Sequence, residues 1–140
     1  YLRARGIASP CNPSLRFIDR YDYARGVLLP VMVAAMLSPS REVTAVQITF
    51  LNPQKPAKAA VATPRRTIGL MGDGSVRLAG AGESLGLAEG VETGLSAMQL
   101  TGIPVWCCLG APRMSRMSVP DAVRELHLFP LRLGSIVSAR

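Results

Sequence analysis

An α+β fold is predicted, with a small antiparallel β-rich subdomain followed by a parallel α/β core. Three observations lead there. Residues 27–37 form an apolar run and residues 42–51 alternate in polarity, which together make an antiparallel hairpin. Ala79-Gly-Ala-Gly-Glu83 is small, flexible and free of large apolar groups, the best boundary in the chain. Beyond it an apolar run, a helix-length segment and a second apolar run give a β-α-β unit. The expected division is therefore residues 1–82 and 83–140.

Each element has its own justification. Tyr1 to Gly6 reads as the end of a helix closed by Gly6. Residues 8–23 are rich in Pro, Asn and Ser, with one short apolar patch, Leu15-Arg-Phe-Ile18. Residues 27–37 are a buried strand, too short for a bilayer and interrupted by Pro30. Ser38-Pro-Ser-Arg41 is a turn, and the phase of alternation in the next strand switches near Ala45 and Val46, the mark of a bulge. Asn52-Pro-Gln-Lys-Pro56 is a loop, residues 58–62 a short extended segment, and Thr63-Pro-Arg-Arg66 a basic turn. Gly69, Gly72, Asp73 and Gly74 split residues 67–78 into two short strands, with Asp73 in turn chemistry.

In the second part, residues 85–88 are a strand and residues 91–100 a helix, with Val91, Leu95 and Met98 on one face. Gly94 inside that helix costs about 1 kcal/mol against alanine, so a close backbone contact is expected there. Gly102 and Pro104 stop the helix. Residues 105–109 are a second strand parallel to the first, and residues 112–119 a short loop or helix. A helical turn over 121–125 and a third strand over 126–129 complete the pattern.

Composition narrows the function. Apolar residues make up 49% of the 140 and charged residues 18%, which excludes a disordered chain. Net charge is +7, from 16 basic and 9 acidic residues, and 14 of the basic ones are arginine. Guanidinium forks suit phosphate oxygens, so a polyanionic partner is favoured, nucleic acid first. The alternative is a positive surface that serves only solubility. No membrane partner is expected.

Cys11, Cys107 and Cys108 form no CxxC pair, and the neighbours Cys107 and Cys108 point to opposite faces of a strand. With His127 the single histidine, a zinc site is not expected. The lack of a disulfide framework fits a reducing cytoplasm. Trp106 is expected in the core and His127 on a strand with its hydrogen bonding satisfied. The glycine-rich pieces lack the Lys-Ser/Thr of a phosphate loop, and no Ser-His-Asp or Cys-His spacing is present. The chain begins at Tyr1 rather than Met, as expected of a fragment or trimmed form.

The most informative stretch runs from Leu85 to Trp106. An apolar strand ends in Glu89-Gly90 and a helix follows, which sets a carboxylate at the carboxyl edge of a parallel strand, where α/β sheets bind ligands. Leu87-Ala-Glu-Gly-Val-Glu-Thr-Gly-Leu-Ser-Ala97, then Thr101-Gly-Ile-Pro-Val-Trp106 and Leu109-Gly110, resembles the first half of a Toprim domain. The version it is most similar to occurs in phage- and plasmid-type DNA primases and primase-helicases. Upstream, Tyr1-Leu-Arg-Ala-Arg-Gly6, Ser14-Leu-Arg-Phe17, Leu29-Pro-Val-Met-Val33, Val46-Gln-Ile-Thr-Phe-Leu51, and Lys58 with Thr63-Pro-Arg-Arg-Thr67 run in the order of the basic subdomain of those primases. The motifs are short, and specificity lies in their order.

That resemblance implies a four-stranded parallel Toprim core and DNA replication in a mobile element. It also implies Mg²⁺ held by a glutamate after the first strand and an Asp-x-Asp pair after the third, for phosphoryl transfer. Glu89 maps onto the glutamate, as catalytic residue and metal ligand. Gly90 lets the backbone approach the ligand closely, and Lys58, Arg65 and Arg66 map onto the part that meets nucleotide or template phosphates. Arg113 and Arg116 either meet phosphate or solvate a helix face. Glu92 is expected to serve the positive end of the helix, with a secondary role beside Glu89.

One departure matters. After Glu125-Leu-His-Leu-Phe129 the chain reads Pro130-Leu-Arg-Leu-Gly, with no acid beyond Glu125 and Arg132 where the family has negative charge. A changed frame or divergent end before the second acidic motif is expected. Mg²⁺ is then weakly held or absent. The function implied is a primase-type Toprim protein that binds single-stranded DNA or primer-template but is catalytically impaired. The alternatives are an active Mg²⁺-dependent primase making RNA primers, and a non-enzymatic interaction or inhibitor protein that docks on a replication helicase or polymerase.

Overall fold

The structure is a computed structural model, and it describes residues 1–8, 11–131 and 137–139. A first sheet contains β1 (Leu15–Ala24), β2 (Val27–Leu37), β3 (Val43–Phe50) and β4 (Arg65–Gly69), all antiparallel in the order β1-β2-β3-β4. The second contains β5 (Val76–Arg77), β6 (Ser84–Ala88), β7 (Val105–Cys107), β8 (Glu125–Phe129) and β9 (Val137–Ala139), in the order β5-β7-β6-β8-β9. Helix α1 (Val91–Thr101) links β6 to β7, and the four-residue α2 (Ala111–Met114) follows β7. The α+β class and the antiparallel-then-parallel order are those the sequence predicts.

The parallel core is smaller than the resemblance implies. Among the described residues β7, β6 and β8 run parallel, and antiparallel edge strands β5 and β9 flank them. The two short strands expected around Asp73 exist, but they serve different sheets: β4 pairs with β3, and β5 with β7. No helical turn forms at residues 121–125; a turn at residues 121–122 leads straight into β8.

Strand β1 is the main element that the local pattern hides. It is an edge strand whose Arg16, Asp19, Arg20 and Asp22 keep its outer groups in water. It turns into β2 through Arg25-Gly26, both at positive φ (49° and 80°), a two-residue turn whose twist suits a hairpin. The expected bulge between β2 and β3 is present one residue earlier than predicted. Met36 faces Ala45 and Leu37 faces Val43, which leaves Thr44 as the extra residue.

One apolar core joins the two sheets. It includes Leu2 and Ile7, Met32 and Met36 of β2, Leu95 of α1 and Val105 of β7, all nearly inaccessible to solvent. Removing each such aliphatic side chain from water contributes about 1.5–3 kcal/mol. Cys107 belongs to this core while Cys108 packs with Trp106, Leu85 and Leu87 on the opposite face of the sheet. Burial pushes both thiols up, that of Cys108 to about 12, so both behave as neutral apolar groups.

Gly94 shows why α1 tolerates a poor helix former. A Cβ there would stand 2.5 Å from Cys107 Sγ and 3.0 Å from Leu78 Cδ1, inside normal contact distance. The helix lies that close to β7 because nothing projects from this position.

Candidate nucleic-acid interface

Glu89 directly follows β6, at the carboxyl end of the three parallel strands. Its backbone ties those strand exits together. Its N–H donates to Phe129 O at 3.3 Å, and its carbonyl accepts Gly110 N–H at 3.0 Å. Its side-chain Oε2 accepts the backbone N–H of Leu131 at 3.1 Å. Gly90 caps α1 in ordinary extended backbone (φ −138°), and a Cβ there would meet only Glu92 Oε2, at 3.9 Å.

Glu92 sits in the first turn of α1 and reaches across to the first sheet. It accepts a hydrogen bond from the Tyr1 hydroxyl and one from Arg65 Nη2 at 2.7 Å, and Lys58 Nζ lies 3.7 Å away. Burial alone would raise its carboxyl. The Tyr1 hydrogen bond, Arg65, its own backbone N–H and Lys58 outweigh burial and hold it below the usual carboxylate range. Burial, the bond to Glu92 and the Glu92 charge push the Tyr1 phenol well up, so it stays a donor. Burial and then Arg65 push Lys58 down, against the upward pull of Glu92. The helix-end role expected for Glu92 is thus joined by a cross-sheet ion cluster.

The result is a cleft of about 410 Å³ between the sheets. Arg5, Lys58 and Arg65 line it on one side, Glu89, Gly90 and Glu92 on the other. The structure therefore brings Glu89, Gly90, Lys58 and Arg65 together. Arg65 and Arg66 lie in β4 instead of the expected basic turn, so they face opposite ways. Arg66 lies 4.3 Å over the Tyr23 ring and 5.0 Å over Phe50, donating to Tyr23 O at 2.8 Å, outside the cleft.

Two further expectations are corrected. Arg113 does more than solvate a helix face. Its guanidinium donates to the carbonyls of Cys108 (2.7 Å), Gly72 (2.9 Å) and Gly74 (2.7 Å), fastening two loops. His127 is on a strand, but its Nε2 is buried without a hydrogen-bond partner among the described residues; Glu125 Oε1 is 3.6 Å away. Arg132 lies outside the described residues. Trp106 is buried as expected, its Nε1–H donating to Ala79 O at 2.9 Å.

Among the described residues the donor set of the cleft does not fit a Mg²⁺ ion held by side chains alone. Among the described residues no group of three or more His, Cys, Asp or Glu side chains is arranged around one point. Of the two carboxylates in the cleft, Glu92 is neutralised by Arg65 and Lys58. Glu89 meets a backbone amide, not a second acid, where β8 ends.

Residues 84–129, which hold the β-α-β unit with Glu89 at its strand edge, match the model of the Toprim domain. The chain therefore carries a Toprim domain, a class tied to nucleic-acid chemistry. Residues 1–78, more than half of the chain, match the family described as Domain of unknown function (DUF7146), and the chain belongs to that family. No curated protein matches the sequence. No helix among the described residues is long and apolar enough to cross a membrane.

Proposed function

We propose that this chain is a primase-type Toprim protein of a phage or plasmid replication system that binds single-stranded nucleic acid in the cytoplasm and is impaired in phosphoryl transfer. The observation that carries it is the contact at the end of β8. Glu89 accepts the Leu131 amide where a metal-binding acid pair would be needed, while Arg5, Lys58 and Arg65 line the same cleft. Cations without a protein-held metal favour binding to phosphate over chemistry on it. Phosphate competes with Glu92 for Arg65, so the affinity is expected to be moderate and salt-sensitive.

The test is fluorescence anisotropy of a labelled single-stranded oligonucleotide over a salt series. Log affinity is expected to fall linearly with log salt, and Lys58→Gln to reduce the slope by about one, with little sequence preference. A flat salt response contradicts phosphate-driven binding. Template-directed nucleotide incorporation that Glu89→Ala abolishes contradicts the impairment.

A further inference from the structure

A cavity of about 700 Å³ lies away from Glu89. Its walls include Ala79, Gly80 and Ala81, which lead into β6, and Pro120 and Ala122, which lead into β8. It therefore opens at the amino ends of the parallel strands, opposite the cleft. Among the described residues its charged lining is Arg41 and Arg77, with no Asp or Glu.

Arg77 is held in place with donor capacity to spare. Its guanidinium lies 4.2 Å over the Trp106 ring, and Nη2 donates to Ser38 O at 2.8 Å. Its Nε is buried with no hydrogen-bond partner among the described residues, and neither Arg77 nor Arg41 joins a described salt bridge. Arg41 stands in the β2–β3 turn at a φ of 66°, fixed there by its own N–H donating to Ser38 O at 2.9 Å. Burial, then the charge of Arg41, pushes the Arg77 guanidinium down. Two like charges brought together without an acid are relieved by an anion that both can grip.

We propose that Arg41 and Arg77 bind a phosphate group in this cavity, as a second anion site separate from the Toprim edge. The oxygens of a phosphate, monoester or diester, match two guanidinium forks in geometry better than a single carboxylate does. The cavity is larger than a bare phosphate needs, with Leu37, Val119 and Pro39 among its walls. It is of the size that takes a small organic ligand. The phosphate is therefore that of a mononucleotide-sized monoester or of a nucleic-acid backbone.

The protein supplies its own probe, because Trp106 is the single tryptophan and lies under Arg77. Inorganic phosphate, a nucleoside 5′-monophosphate and a short single-stranded DNA bearing a 5′-hydroxyl are titrated separately, following tryptophan fluorescence. A saturable change is expected that sodium chloride at equal ionic strength does not give. Arg41→Gln is expected to weaken it about tenfold, since one charge-assisted grip is lost. Arg41 is exposed, so this variant keeps the fold even if Arg77→Gln does not. Arg20→Gln, at an exposed arginine of β1 that does not line the cavity, is expected to change nothing. Tighter binding of the monophosphate identifies a monoester ligand, and tighter binding of the DNA identifies the backbone. A response that never saturates, or one that Arg41→Gln leaves intact, overturns the site.

Discussion

Glu92→Gln is expected to loosen the fold and tighten polyanion binding in the same protein. The carboxylate is well buried, with its side chain 14% exposed, and it meets Tyr1, Arg65 and Lys58. Removing one partner of a buried ion pair costs about 3–5 kcal/mol. Arg65 remains 39% exposed, so solvent screening reduces that to about 1–3 kcal/mol here. The same change releases Arg65 and Lys58 for phosphate, and oligonucleotide affinity at low salt is expected to rise about tenfold. Urea denaturation and anisotropy on one preparation check both halves.

The pH dependence has a definite sign. The folded carboxyl of Glu92 lies below its unfolded value. Its contribution is complete above the ordinary glutamate range and is lost as pH falls through the depressed folded value. Wild type is expected to lose more stability than Glu92→Gln over that acid interval. Equal acid sensitivity of the two proteins contradicts the cluster.

Gly69→Ala is expected to be the most damaging small substitution in the first sheet, at about 2–5 kcal/mol. Gly69 ends β4 at a φ of 103°, a conformation that L side chains rarely adopt. A Cβ there would collide with the Thr44 carbonyl and approach Ala45 Cα to 2.9 Å. Both neighbours are backbone and cannot swing aside. The glycine is required because the bulge at Thr44 presses this stretch of β3 against the end of β4. A lower urea midpoint with an unchanged slope is the expected result. A midpoint within experimental error of wild type contradicts the crowding.

The parts of the fold legible in the sequence are those whose burial repeats locally. Strand β2 is a continuous apolar run, and α1 carries Val91 and Leu95 at helical spacing before Gly102 closes it. Strand β1 was hidden because its charged residues suit an edge, and only pairing with β2 gives it order. Arg65 and Arg66 follow a proline and read as a turn. Registry of Thr49 with Arg65 and Ile48 with Arg66 makes them strand, and this pairing sends them to opposite faces.

The site divides in the same way. Glu89 was legible, since a strand followed by acid and glycine fixes its place at the sheet edge. The Tyr1–Glu92 hydrogen bond joins residues 91 positions apart, and no periodicity encodes it. Glu92 did carry one signal, its position a helical turn beyond Glu89. The Arg41–Arg77 cavity depends on a β-turn and two strand-entry loops meeting, which no local pattern announces.

The most direct test of the central claim is oligonucleotide affinity with EDTA and with Mg²⁺ at matched ionic strength. The cleft is proposed to grip phosphate with its own cations, so the two affinities are expected to agree and Lys58→Gln to weaken both. Affinity that exists only with Mg²⁺ and disappears in Glu89→Ala would contradict it.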